Sequence, residues 1–338
     1  VSKLAVFTSL FALIVMTSVC PSWSVAQSVW QQPTSRKKAS VEVGAKIFDR
    51  PGDDSNNPII FDSVTNTTLL SQEQATDFGT DFGIEVKVSV PDHHHNRDWE
   101  FRTIIATWEE DRAIFGNNLA SSFFPDPQDP TTVFVPPQAV TYDFESDYFS
   151  FELMRKQAIR PGLTFSAGPR FISTSDEIAI VATTNTVDPT TGTPVTGSQF
   201  NDFEAKNSLV GLQVGLEVNR PIAQSLYFTV FGRAGGYYNG TRFDTATSTM
   251  DTLGITNTPV TQTRQTRSTE SFVAEAGGRL NFEILPNSLS TFIGYEATVI
   301  DGIALSQANV GNVANIFPID TNNTVFFQAI TFGANLSY

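Results

Sequence analysis

Cysteine is all but missing: the 338 residues hold one, Cys20. It falls inside a leader-like N-terminus, so a chain cleaved after Ala26 has no thiol, which excludes disulfides and thiolate chemistry. Histidine is nearly as scarce, with all three at His93-His94-His95. Three consecutive imidazoles cannot all converge on one ion, and a Ser-His-Asp arrangement would have to use this single place. Charge is thin too, at 17% of residues against about 25% in typical soluble domains. Lys and Arg number 21 against 35 Asp and Glu, and the formal net charge of −14 speaks against a phosphate-binding, nucleic-acid surface. Past the leader, no apolar run approaches the length of a membrane-crossing helix. No phosphate loop, complete calcium loop or cofactor motif is present, so no cofactor or metal is expected.

What is abundant is alternation. Phenylalanine is unusually common at 28 residues, yet the mean hydropathy stays close to zero. Phe78, Phe82, Ile84, Val86, Val88 and Val90 alternate with Asp77, Gly79, Asp81, Gly83, Glu85, Lys87 and Ser89. Successive side chains on a strand face opposite ways, so this segment has one apolar and one charged face. Its length suits a tilted strand crossing a bilayer better than an ordinary globular strand.

Lys3, the apolar run Leu4 to Val19 and the small residues Ser24-Val25-Ala26 before Gln27 predict a cleaved secretory signal over 1–26. Val19 is too bulky for lipoprotein processing at Cys20. Residues 27–39 are polar, contain Arg36-Lys37-Lys38 and read as a flexible periplasmic lead-in. Residues 40–338 then read as one β domain.

Candidate strands fall at 40–48, 76–90, 97–109, 140–156, 160–175, 203–219, 223–238, 270–285, 288–300 and 325–338. The connections between them alternate long and short. Long ones span 49–75, 110–139, 176–202, 239–269 and 301–324; short ones lie at 91–96, 157–159, 220–222 and around Pro286-Asn287. Short periplasmic turns and long external loops are the habit of outer-membrane barrels. The expected fold is therefore all-β: a transmembrane antiparallel up-and-down barrel of about ten strands, with about eight to twelve compatible.

In such a barrel the polar parity of each strand faces inward. The expected lumen-lining set is Glu85, Glu100, Arg102, Glu152, Arg170, Glu217, Arg233, Glu275, Arg279 and Glu296, together with Lys87. Mixed charges at about ten strands point to a narrow or occluded lumen, because eight-stranded barrels are filled and sixteen-stranded ones open. One strand is out of phase: Tyr142, Phe144 and Tyr148 share a parity, then Phe149, Phe151 and Leu153 take over. A β-bulge near 146–148 would reset it. Trp99, Tyr142, Tyr227 and Tyr338 are candidates for interfacial aromatic girdles. Ile330, Phe332, Ala334, Leu336 and Tyr338 share the last apolar face. Phe332, Leu336 and the final Tyr338 resemble the C-terminal signal read by the barrel-assembly machinery.

Four segments carry a family resemblance: Pro161 to Phe171 with the acidic Asp176-Glu177, Asn207 to Gly215, Phe231 to Asn239, and Gly294 to Leu305 with its Gly-Tyr…Asp-Gly-Ile-Ala-Leu pattern. Together they resemble the outer-membrane β-barrel proteins of planctomycete bacteria, and more distantly the pore-forming major outer-membrane proteins of the Legionella type. The resemblance covers about residues 140–338 and marks Arg170, Arg233 and Glu296 as lumen positions. It implies a barrel in the lipid of a Gram-negative outer membrane. The function expected is a narrow, non-specific porin-like channel with a mild cation preference. The alternative is a plugged structural or adhesive envelope barrel with external binding loops. No enzymatic role is expected, and a homo-oligomer is compatible with the sequence.

Overall fold

The computed structural model describes residues 38–50, 58–62, 64–65, 67–71, 80–92, 97–116, 119–121, 138–187, 192–251, 258–309 and 318–338. The leader, the lead-in up to 37 and the histidine turn lie outside these. Ten strands close a ring: β1 (Ser40–Asp49), β4 (Thr80–Asp92), β5 (Arg97–Phe115), β7 (Ala139–Arg160), β8 (Leu163–Val187), β9 (Pro194–Ala223), β10 (Leu226–Asp251), β11 (Thr258–Leu285), β12 (Leu289–Ile303) and β13 (Asn323–Ser337). Every neighbour pair is antiparallel, and β1 closes the ring between β13 and β4. Three further strands, β2 (Pro58–Asp62), β3 (Thr67–Ser71) and β6 (Leu119–Ser121), form a separate small sheet in the order β3-β2-β6. The up-and-down barrel expected from the loop spacing is the fold observed.

The short turns form one rim. Gly162, at φ 73°, makes the β7–β8 turn, where an added Cβ would lie 2.5 Å from the Asn219 carbonyl oxygen. The opposite rim departs from expectation. About ten residues suffice to cross a bilayer, yet β7 has 22 and β9 has 30. Residues 110–115, 176–187, 194–202, 239–251 and 258–269, expected as loop, are strand that rises above the apolar belt of the outer wall. Segments such as Thr241 to Thr249 conceal this in the sequence because Thr, Ser and Asp dominate them.

The same elongation explains the phase change on β7. It pairs β5 and β8 from Ala139 to Glu152 without a register shift, so no bulge lies near 146–148. The strand keeps its pleat and the surroundings change. Phe149 and Phe151 face outward among exposed apolar residues, whereas Tyr142, Phe144 and Tyr148 point inward and are buried. On β9, Val210, Leu212 and Val214 are exposed outside with Gln213 and Gly215 inside. Higher up, Asp202, Glu204 and Lys206 face out while Phe203, Ala205 and Leu209 are buried within. Tyr142 is therefore an interior residue, not a girdle residue, and Tyr227 shares the inward parity of Thr229, Phe231 and Arg233. Trp99 and Tyr338 are exposed on the outer wall, as a girdle requires.

The lower outer wall is an apolar belt in which Phe82 is 69% and Leu212 70% exposed. A band this continuous around a barrel is the surface that lipid buries. Val214→Arg, within the belt, should cost about 2–4 kcal/mol of unfolding free energy in phospholipid vesicles. Glu145→Arg, outward but above the belt, should not lower it, because a cation there faces Glu109 and Glu177 across the neighbouring strands. Urea titration in vesicles measures both, and equal losses would contradict the belt.

Candidate functional site

Among the described residues, the barrel interior is filled by two stacked layers. The lower one is ionic and holds every expected lumen residue. Glu85, Glu100, Arg102, Glu152, Arg170, Arg233, Glu275, Arg279 and Glu296 are buried, and Glu217 is half-buried nearer the short-turn rim. The alternation of each strand puts these side chains inside, and the ring brings together positions far apart in sequence.

Arg102 on β5 is the hub. Its Nη1 lies 2.6 Å from Glu275 Oε1 and 3.0 Å from Glu152 Oε1, and its Nη2 3.0 Å from Glu85 Oε2 and 3.1 Å from Glu296 Oε2. Glu275 is shared in turn with Arg170 at 3.1 Å and Arg233 at 3.3 Å. Arg170 donates from Nε to Ser150 Oγ at 2.9 Å and from Nη2 to Tyr148 Oη at 3.0 Å. Arg279 meets Glu42 at 2.6 Å, and so does Lys87. Lys46 bridges Glu85 and Glu296, and Lys156 bridges Glu100 and Glu217. Glu42, Lys46 and Lys156 are absent from the set expected from sequence. The inward parity of β1 and β7 names them, but β1 is short and unlike the resembled family, which hides its inward face.

The layer is electrically balanced. Lys46, Lys87, Arg102, Lys156, Arg170, Arg233 and Arg279 are seven cations; Glu42, Glu85, Glu100, Glu152, Glu217, Glu275 and Glu296 are seven anions. Burying an ion costs several kcal/mol even after relaxation, so mutual pairing mainly holds one arrangement in place.

The upper layer is apolar. Trp108 packs edge-on against Phe48 and stacks on Phe327, with ring centroids 5.5 Å away in both cases. Tyr142, Phe144, Ile178, Ile180, Phe203 and Phe243 join it from the tall strands, and Ile60, Leu70 and Leu119 from the small sheet. The β12–β13 connection adds Ile303, Ala304, Leu305 and Ile319, and its one turn of helix, α1 (Ser306–Asn309), lies in the same interior. Arg50 braces the layer: its guanidinium grips Asp176 at 2.8 and 3.0 Å and donates to Ser146 Oγ at 2.6 Å. Between the layers, a cavity of about 10 Å³ is lined by Phe48, Ile104, Tyr148, Glu296, Thr298 and Phe327. It has room for about one water.

Above the belt the outer wall is acidic. Register aligns Glu109, Glu145, Glu177, Glu204 and Asp244 directly across five strands, and Asp111 opposite Asp143 one step higher. Like charges facing each other across strands are unfavourable. Partial burial, the hydrogen bond to Asp111 and the charges of Asp111 and Glu109 raise the Asp143 carboxyl above its usual value. Burial and neighbouring acids raise Glu145, Glu177 and Asp202 likewise.

No protein-family model and no curated protein matches this chain. Among solved structures it is similar to the outer membrane protease OmpT of Escherichia coli, at 7% identity and a TM-score of 0.39, over 90% of this chain and 98% of that one. It is also similar to the Ralstonia pickettii toluene transporter TbuX, at 7% identity and 0.35, over 89% and 90%. A major outer membrane protein from Thermus thermophilus matches at 10% identity and 0.32, over 89% and 99%. With every one of these TM-scores below 0.5, they carry no weight for activity, and the ring of ten antiparallel strands rests on its own hydrogen-bond register.

Both layers are open to test. Arg102→Met leaves seven glutamates to six cations in the lumen and should cost about 3–5 kcal/mol, read by denaturant unfolding; a loss under about 1 kcal/mol would contradict the hub. The raised outer acids hold protons more tightly folded than unfolded. Their destabilising effect is absent below the ordinary carboxylate pKa of about 4 and complete above their raised folded values. Protection of the tall strands against hydrogen exchange should therefore grow as pH falls from neutral toward the ordinary carboxylate range of about 4. Glu145→Gln with Glu177→Gln should flatten that trend.

Proposed function

We propose that this protein is an outer-membrane barrel that is closed at rest, a membrane-held scaffold presenting a tall external wall to its surroundings. The observation that carries this reading is the balanced ionic layer around Arg102, roofed by an apolar layer, both filling the interior among the described residues. Placement in a Gram-negative outer membrane is supported by the lipid-facing belt together with the leader-like N-terminus. Phe332, Leu336 and Tyr338 lie exposed on the outer face of β13 or just past it, where the barrel-assembly machinery would read them. The motifs of residues 161–305 resemble those of the planctomycete family and are consistent with this reading. We assign no catalytic role, because all three histidines are consecutive in the sequence, at 93–95.

A narrow channel is the second reading, and one observation favours it. Glu275 is shared among Arg102, Arg170 and Arg233, so the layer can exchange partners without leaving a charge unpaired. Single-channel recording in planar bilayers decides between the two. The closed scaffold should show no stable steps in the native protein, whereas Arg102→Ala should conduct. Stable steps in the native protein, with a selectivity that Arg170→Glu or Arg233→Glu reverses, would replace the scaffold by the channel.

A further inference from the structure

The upper layer is held very differently from the lower one. Its β12–β13 strap, residues 302–309 and 318–322, folds into the barrel and hangs there on side chains, chiefly asparagines. Asn207 on β9 binds Ala304 both ways, Nδ2 donating to its carbonyl at 2.7 Å and Oδ1 accepting from its N–H at 2.9 Å. Asn239 and Ser271 donate to the Gly302 carbonyl at 3.2 and 2.6 Å. Asn309 ties the two strap segments together through Leu305 and Asp320. Ser306 Oγ accepts from the Ala205 N–H at 2.9 Å and donates to the Asp176 carbonyl. The strap leaves the wall at Gly302, whose φ of 80° favours glycine; an added Cβ would lie 2.6 Å from the Glu270 carbonyl oxygen.

The closed position also leaves polar atoms unserved. Gln307 Oε1 and Thr321 Oγ1 on the strap, and Trp108 Nε1 and Asn201 Nδ2 on the wall, are buried without a hydrogen-bond partner among the described residues. Such atoms make a packed state less favourable than its apolar contacts suggest. Trp108 is buried in one apolar cluster with Ile303, Leu305 and Ile319 of the strap, which bring to it the kind of surface a ligand would offer.

We propose that the outer half of the barrel interior is a chamber for a small, uncharged, mainly apolar molecule bearing a hydrogen-bond acceptor, with the strap as its built-in competitor. The inference rests on the closed-lumen reading, since the ionic layer is the chamber floor. That floor is neutral, and the acidic outer wall disfavours anions. Ligand and strap exclude each other, so apparent affinity is reduced by the fraction of molecules whose strap is in place.

The test uses the full chain in phospholipid discs with phenol as the probe. Trp23→Phe, Trp30→Phe and Trp99→Phe leave Trp108 as the only indole, and Cys20→Ser removes the only native thiol. Ala205→Cys with Ser306→Cys then permits a disulfide that pins the strap. Phenol should change Trp108 emission saturably in the reduced protein, with the midpoint raised about tenfold or more by oxidation. Asn207→Ala, without the cysteines, should lower the midpoint about tenfold. Equal midpoints in the oxidised and reduced forms overturn the proposal, as does the lack of a saturable change. Should the cysteine pair fail to fold, an unchanged midpoint in Asn207→Ala overturns it alone. Conductance of the same protein reports separately on the floor: silence without phenol binding defeats the chamber only, whereas stable steps defeat the closed-lumen reading itself.

Discussion

A strand that passes from lipid into water must exchange the roles of its two faces, and this constraint organises the whole molecule. Inside the bilayer, the outward parity of β7, β8 and β9 is Phe, Val and Leu, and the inward parity is Ser, Arg, Gln and Glu. Above it, Asp143, Glu145, Glu177 and Asp202 turn outward, while Tyr142, Phe144, Ile178 and Phe203 turn in. The backbone does nothing unusual at the crossing point. Only the medium outside changes, so the apolar residues move to the side away from water. The lower barrel is thus inside-out relative to a soluble protein, and the upper part is the right way round.

This inversion produces the two layers of the interior. Where the wall is greasy outside, the inside must hold polar side chains, and a ten-stranded ring is narrow enough for them to meet across the middle. Seven cations and seven glutamates then satisfy each other, because an unmatched ion in that space costs more than any packing recovers. Where the wall is acidic outside, the inside is a hydrophobic core open at one end. The small sheet and the β12–β13 connection close it, much as a loop-borne layer covers a soluble sheet.

The two layers differ in how hard they are to disturb. Most charges below have partners on more than one strand, so the ring and the ionic layer support one another. The upper layer depends on asparagine side chains, a bidentate Arg50–Asp176 pair and apolar contact. Elements tied by few contacts to the rest of a fold open first. A molecule built this way has a firm floor and a looser roof.

Much of this is legible from the chain alone. Alternation and the long-short rhythm of connections point to the barrel, to about ten strands and to ten inward charges, because parity is a local property that needs no neighbour. The same parity, applied as strictly to β1 and the end of β7, names Lys46 and Lys156 as well. What only the tertiary structure decided is which charges meet, how far strands outlast the bilayer, and that connections fold inward. Arg102 and Glu275 lie 173 residues apart, and their pairing depends on ring closure. The apparent phase slip on β7 is likewise a statement about what surrounds the strand. A sequence records which side chains share a face; the medium that face will meet is settled by the assembled fold.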